Sequence, residues 1–282
     1  MGRLPDHDDV HMTKQTAPAH QREAVDAAAA RLESATRTGT PCAPITDLIG
    51  HHDIALAYQV QLKLTTRRCA AGARVIGRKI GLTSAAVQSQ VGVDRPDFGV
   101  LFDDMKFLDG QHIPYERLLQ PKAEGEIAFV LGRDITSVDT RDAVRSAVTV
   151  ALPAIEIVDS RIAQWRIGIT DTVADNASSG VFVIGERGVP LDRFEPVSTA
   201  MEMRRGGVTI SAGTGSDCLG DPLSALAWLA ETAIEFGDPL RAGDIVLSGA
   251  LGPMVDVRPS DNVVVDIEPL GAVTAIFTEG IK

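Results

Sequence analysis

Three glutamates interrupt two of the most apolar stretches of this chain, and that conflict limits what the chain can fold into. The first stretch is Pro121-Lys122-Ala123-Glu124-Gly125-Glu126-Ile127-Ala128-Phe129-Val130, and the second is Pro153-Ala154-Ile155-Glu156-Ile157-Val158. Residues two apart share a face in a strand. Glu124 and Glu126 therefore face one way with Ala128 and Val130, while Ile127, Phe129 and Leu131 face the other. Glu156 shares its face with Ala154 and Val158. Carboxylates withdrawn from water are costly unless something compensates them. Close like charges raise one another's pKa or recruit a cation. Three carboxylates from neighbouring strands would suit a hard octahedral cation, Mg2+ or Mn2+. The alternative is that Glu124 and Glu126 flank an exposed edge while Glu156 pairs with an arginine such as Arg161. Spacing leaves both open.

A second polar interruption is Lys79 in Gly77-Arg78-Lys79-Ile80-Gly81-Leu82. A lysine among glycines in an apolar strand has room to approach a ligand, or it snorkels to the surface. Asp97 in Arg95-Pro96-Asp97-Phe98-Gly99 reads either as a plain turn residue or as a base held by a tight turn.

The rest of the chain supplies the frame. Helical spacing runs from Ala19 to Thr38, with Val25, Ala28, Ala29 and Leu32 on one face. A second helix is expected over Asp53–Ala71, with Asp53 as its cap. His51 and His52 then lie at a surface helix start rather than in a metal site. Short strand-like runs follow from Val75 to Phe277, with helices expected near Ser84–Gln90, Arg141–Ala151 and Pro222–Phe236. Asp221, Pro222 and Gly237 are placed to start and stop the last of these. Arg205-Gly206-Gly207 and Pro269-Leu270-Gly271 read as hairpin turns. Strands and helices do not alternate, so a doubly wound fold fits poorly. The expected class is α+β, with a flexible extension over 1–18, a helical layer over 19–74 and a catalytic body over 75–282.

Composition excludes several function classes. Of 282 residues, 44% are hydrophobic and 23% charged, which suits a folded globular chain. The net charge of −11, from 38 acids against 27 bases, disfavours a nucleic-acid footprint. No apolar run is long enough for a membrane helix, and the polar start MGRLPDHDDVHMTKQT lacks a signal core, with Met12 an alternative start. Asp6, His7, Asp8, Asp9 and His11 read as a solvated tail. Cys42, Cys69 and Cys218 are far apart and form no CxxC, so reduced thiols in a cytoplasmic protein are expected. There is no GxxxxGK[ST] loop and no G-x-S-x-G elbow, and Ala212–Ser216 is an ordinary glycine-rich loop.

Several longer segments then carry a resemblance. KIGLTSAAVQSQVGVDRPDFGVLFDDM (79–105), QPKAEGEIAFVLGRDI (120–135) and ALPAIEIVDSRIAQWRIGITDTVADNASSGVFVIG (151–185) resemble the 2-keto-4-pentenoate (2-hydroxypentadienoate) hydratase family of the fumarylacetoacetase-like superfamily. GSDCLGDPLSALAWLA (215–230) and LRAGDIVLSGALGPM (240–254) continue it. The family's metal glutamates fall on Glu124, Glu126 and Glu156, its active-site lysine on Lys79, its PDFG aspartate on Asp97 and its DNAS serine on Ser178. Gly125 stands where alanine is usual, and Lys122 where arginine is common. A glycine there should loosen the strand slightly.

The resemblance implies a rolled mixed sheet with outer helices, and a homo-oligomer of high order, a decamer being one form. It implies Mg2+ or Mn2+ and a small anionic 2-hydroxydienoate substrate. It also implies hydration to 4-hydroxy-2-oxopentanoate in aromatic degradation, alongside an aldolase or decarboxylase partner. Catalytic roles would fall to Lys79 and Asp97, and substrate contacts to Lys79, Asp97 and Ser178. Two alternatives are 4-oxalocrotonate decarboxylase and a fumarylpyruvate-type hydrolase, the latter weakened because no histidine follows His112. A divalent cation and Lys79 would offset the three glutamates, leaving an anion-tolerant cleft in an acidic chain.

Overall fold

The computed structural model describes residues 18–84, 88, 95–138 and 140–280. The polar tail and almost all of the helix expected over Ser84–Gln90 lie outside them. Three helices come first: α1 (Ala19–Thr38), α2 (Thr46–Ile49) and α3 (Ile54–Ala70). Next are strands β1 (Val75–Gly81), β2 (Asp97–Phe102), β3 (Lys106–Leu108), β4 (His112–Ile113) and β5 (Lys122–Leu131). Then come α4 (Arg141–Ala147), β6 (Val148–Val158), α5 (Ile169–Ala174) and β7 (Ser179–Ile184). The chain ends with β8 (Ala200–Arg205), β9 (Val208–Thr214), α6 (Pro222–Glu235), β10 (Ile245–Leu247), β11 (Val255–Asp256), β12 (Asn262–Ile267) and β13 (Gly271–Phe277). No helix among the described residues is long and apolar enough to cross a membrane.

The strands form two mixed sheets. The larger runs β2-β1-β10-β5-β6-β7-β3, with β11 also paired to β5. The smaller runs β4-β13-β12-β8-β9. Their apolar faces meet in one core that includes Ile127, Phe129, Ile155, Met201, Val263 and Val265. The rolled architecture is thus built from two packed sheets, consistent with the α+β class. The ladder between β5 and β6 is in register from Lys122–Val158 to Val130–Val150, unbroken through Gly125. A methyl on Gly125 would sit 2.9 Å from Met201 Sδ, so a side chain of the second sheet occupies the space that alanine would use.

Two boundaries differ from the spacing, for physical reasons. The helix expected to reach Ala151 stops at Ala147, and β6 starts at Val148. Val148, Thr149 and Val150 are β-branched and resist a helix, and β5 offers them a ladder. Asp97 is not a turn residue but the first residue of β2, paired with Gly81 and 1% exposed. The run that follows it is buried at every position, so it shows no alternation.

The helical layer has its own core, in which Val25, Ala28, Leu32 and Val60 pack with Ile162 and Val173. Asp53 caps α3 by accepting from the Leu56 N–H at 2.9 Å. Polar clamps tie this layer to the sheet. Gln61 Nε2 donates to Phe98 O at 2.9 Å and Val173 O at 2.8 Å. The Asp171 carboxylate accepts from the Ile45 N–H at 2.8 Å and the Gly168 N–H at 2.9 Å. At the other side α6 lies on the core, capped by Asp221, which accepts from the Leu223 N–H at 3.0 Å. The three described cysteines are free thiols.

β1 and β10 run parallel, with Gly77 opposite Ile245 and Lys79 opposite Leu247. A methyl at Gly77 would overlap the Ile245 carbonyl, a backbone atom with nowhere to go. Gly77→Ala is therefore expected to cost about 3 kcal/mol or more. Urea unfolding of the two proteins checks this, and a loss under ~1 kcal/mol would contradict the close approach.

Candidate active site

The conflict posed by the three glutamates is resolved in a cleft of about 730 Å3 on the larger sheet. Glu124 and Glu156 are direct cross-strand neighbours, and Glu126 lies two residues along β5 on the same face. Oxygens of all three lie within 4.8 Å of one another. Glu126 and Glu156 are 0% and 1% exposed, and Glu124 is half-buried at the opening. Neither an exposed edge nor an Arg161–Glu156 pair is found. Arg161 instead binds Asp175 through Nε at 2.5 Å.

Lys79 does not snorkel. It is 2% exposed, with Nζ 3.2 Å from Glu156 Oε1. Both Glu156 oxygens and Glu126 Oε1 lack a hydrogen-bond partner. The other Glu126 oxygen accepts from the Gly249 N–H at 2.9 Å. Buried carboxylate oxygens without donors are rare in a folded chain. Three of them, on a pair of like-charged groups facing one point, fit a hard cation with oxygen ligands.

Titration behaviour follows from the same geometry. Burial pushes Glu124 up to about 7, with Glu156 adding repulsion and Lys79 opposing. Burial, then Glu156 and Glu124, pushes Glu126 well above its ordinary range. Glu156 rises through burial despite Lys79. Burial works against the Lys79 ammonium, but Glu156, Asp97, Glu124 and Glu126 outweigh it and hold its pKa above the usual value. Asp97 rises through burial, against the pull of Lys79 and a hydrogen bond from Thr172.

Asp97 and Ser178 meet the same cleft. Gly81 makes the Asp97 approach possible, since a side chain there would overlap Asp97 Oδ1. Ser178 ends a left-handed turn in which Asn176, Ala177 and Ser178 have φ of 57°, 52° and 52°. Such backbone costs ~1–3 kcal/mol per residue and persists only where surroundings enforce it. Here they do. Asn176 grips β2, accepting from the Val100 N–H at 2.7 Å and donating to Val100 O at 2.9 Å. Arg161 Nη2 donates to Asp175 O at 2.7 Å, and Ser178 O accepts from the Asp159 N–H at 2.7 Å. Gly99 is required opposite, because a side chain would overlap Asn176 O.

All six residues singled out in the sequence, Lys79, Asp97, Glu124, Glu126, Glu156 and Ser178, therefore bound this one site. The structure adds Gly249 and Thr172. Neither carries a spacing signal. Gly249 matters through its backbone N–H, at a φ of 99°, and Thr172 through a contact across the fold.

Carboxyls whose folded pKa lies above the ordinary value bind protons more tightly in the folded state. The cation-free protein should therefore lose stability as pH rises from 4.5 to about 7, the window of Glu124. A divalent ion should reverse the trend, releasing protons as it binds. Glu126→Gln removes the cost of burying this carboxyl among its neighbours. It is expected to raise the cation-free melting temperature at neutral pH by ~2–4 °C per kcal/mol of that cost relieved, and to abolish the rise caused by Mn2+. Melting curves with EDTA and with MnCl2 test both halves. A variant that still responds fully to Mn2+ would remove Glu126 from the ligand set.

Comparison with known proteins places the chain in a family. The model of the fumarylacetoacetate (FAA) hydrolase C-terminal family matches residues 75–278. The chain is 53% identical over 256 residues to 2-keto-4-pentenoate hydratase 2 of Dechloromonas aromatica strain RCB, covering 90% of this chain and 97% of that one. It is 51% identical to the TodF product hydratase of Pseudomonas putida strain F1, covering 91% and 96%. Among solved structures, 4-oxalocrotonate decarboxylase from Pseudomonas putida G7, complexed with magnesium and adipate, superposes with a TM-score of 0.86 at 33% identity, covering 91% and 98%. The family model spans the strand-bearing body and the relatives extend over the helical layer, so the chain belongs to the fumarylacetoacetate hydrolase family, in its 2-keto-4-pentenoate hydratase branch.

Proposed function

We propose that this chain adds water to 2-hydroxypenta-2,4-dienoate, or a close alkyl homologue, to give 4-hydroxy-2-oxopentanoate. The observation that carries the reading is the glutamate triad with Lys79 against it, in a chain about half identical to named hydratases. Glu124, Glu126 and Glu156 would hold one divalent ion, Mg2+ or Mn2+. When bound, that ion supplies Lewis-acid polarisation and a template for the substrate carboxylate and C2 oxygen.

The chain's own groups do the rest. The buried Lys79 ammonium faces the developing C2 oxyanion and stabilises it in a water-poor cleft. Asp97, with its pKa raised by burial, takes and returns protons during ketonisation and hydration. Ser178 presents a hydroxyl to the reacting end of the substrate. Leu82, Trp165, Ile167, Pro253 and Met254 line the cleft and give a hydrocarbon tail an apolar wall.

A decarboxylase substrate carries a second carboxylate and needs a cation at its far end. Among the described residues lining the cleft, the cations are Lys79 and Lys122. Lys79 lies beside Glu156 at the triad rather than at the far end, while Lys122 pairs with Asp256 and lies 5.8 Å from the Trp165 ring centroid. This favours hydration of a monocarboxylate. The product is a β-hydroxy ketone, ready for retro-aldol cleavage, which is the chemical sense of an aldolase partner. The proposal also includes a homo-oligomer, in keeping with exposed apolar side chains such as Leu62 at 65% and Leu108 at 43%.

Freshly generated dienol, mixed with enzyme with and without Mg2+, tests the reading, with dienol loss and CO2 followed together. Metal-dependent dienol loss without CO2 is expected, and CO2 from 2-oxohex-3-enedioate would reassign the reaction. Lys79→Met should lower kcat about 10²–10³-fold, the loss typical of one oxyanion donor. A kcat near the wild-type value would remove Lys79 from that role.

A further inference from the structure

Between Asp97 and Ser178 lies a second hydroxyl to which the mechanism above gives no part. Thr172, on α5, is 3% exposed and lines the same cleft. Its Oγ1 donates to Asp97 Oδ2 at 3.1 Å and lies 3.3 Å from Ser178 Oγ. Ser178 and Asp97 are themselves 3% and 1% exposed, so the three groups form a buried chain set along the cleft wall.

Hydrogen-bond logic gives this chain a direction. An ionised carboxylate only accepts. With Asp97 ionised, the Thr172 proton is committed to Asp97 Oδ2. Thr172 Oγ1 then accepts from Ser178, whose oxygen turns its lone pairs to the cleft. With Asp97 protonated, each bond reverses, and Ser178 donates into the cleft. The proton at one end sets the hydrogen-bonding sense at the other.

The fold holds the chain in place from both sides. The left-handed turn at Asn176, Ala177 and Ser178 is enforced by the Asn176 grip on Val100, and it sets where Ser178 Oγ lies. α5 is held by Gln61 on Val173 O and by Asp171 on the helical layer. Strained backbone at such a point is an observation from which a functional role follows as a hypothesis.

We propose that Ser178, Thr172 and Asp97 form a hydroxyl relay that carries the proton of the attacking water to Asp97, with Thr172 the positioning residue that joins the other two. The proposal rests on the hydratase reading. The water oxygen forms a bond to C4, and the C3–C4 π pair moves toward C2, leaving an enolate. The water proton passes to Ser178 Oγ, the Ser178 proton to Thr172 Oγ1, and the Thr172 proton to Asp97 Oδ2, which ends as the neutral acid. The reverse shift delivers one proton to C3 and restores the starting state, so one water has been added.

Thr172→Val keeps the shape and removes the hydroxyl, while Thr172→Ser keeps the hydroxyl and removes a methyl. Both are compared with the wild type as full-length, Mg2+-loaded enzyme on freshly generated dienol. Thr172→Val is expected to lower kcat about 100-fold or more, and Thr172→Ser to recover it to within ~10-fold of wild type. KM should stay within ~3-fold in both, because substrate binding is untouched. Rates in H2O–D2O mixtures should bow with deuterium fraction in the wild type and run straight in Thr172→Val. The rise of melting temperature with Mg2+ should match wild type in both variants. A Thr172→Val enzyme with near-wild-type kcat overturns the relay. So does a Thr172→Ser enzyme as slow as Thr172→Val, since that shows a packing role. A wild type inert toward the dienol refutes the hydratase reading and the relay with it. An active wild type with an unimpaired Thr172→Val refutes the relay alone.

Discussion

The mutual repulsion of Glu124, Glu126 and Glu156 is the term around which the structure is arranged. Two are fully buried, and their oxygens lie within 4.8 Å of those of the third. Burial of Glu126 and Glu156 leaves the repulsion to be offset from within the fold. Lys79 relieves part of it, at 3.2 Å from Glu156. The Gly249 N–H relieves another part at Glu126. What remains is a concentrated demand for positive charge at one point, which is what a divalent ion supplies. Removing the carboxylates in favour of apolar side chains would ease folding but leave nothing to hold a cation.

Holding that arrangement requires a rigid frame. The β5–β6 ladder fixes the separation of the glutamates, and the parallel β1–β10 pair carries Lys79 to them. Gly77, Gly81 and Gly99 each stand where a side chain would collide with backbone or with Asp97. The second sheet backs β5, with Met201 packed against Gly125. The helical layer contributes as well. Through Gln61 and Asp171 it fixes α5, and with it Thr172. The N-terminal helices therefore support the site although none of their side chains lines its cleft among the described residues.

The charge balance of the chain takes on a different meaning in this light. A net charge of −11 would repel an anionic substrate if it were spread evenly. It is not. A divalent cation held among the three site glutamates, together with Lys79, would offset them. Some of the remaining acids pair with surface cations, as in Arg31–Asp47, Arg68–Asp104 and Arg78–Asp238. Such exposed pairs contribute little to stability, but they keep the exterior solvated.

Strand alternation in KAEGEIAFVL and PAIEIV was enough to place the three glutamates on shared faces, because the period of two follows from local backbone geometry alone. Helix periodicity and capping residues likewise placed α1, α3 and α6 to within a residue or so. The family resemblance added Lys79, Asp97 and Ser178 to the same site. What the residues alone left open were contacts made across the fold. Whether Lys79 snorkels or is buried depends on β10 lying beside β1. Whether Asp97 is in a turn or a strand depends on β1 pairing with it. Whether Glu156 meets Arg161 or Lys79 depends on Asp175, which takes the arginine. The extra strand at Val148 needed β5 as a partner. Thr172 and Gly249 gave no local signal, because one acts through a contact 75 residues away and the other through a backbone N–H. The sequence by itself thus determined which side chains share a face, since that is set by neighbours along the chain. Only the tertiary structure decided which faces meet, since that is set by the packing of residues far apart.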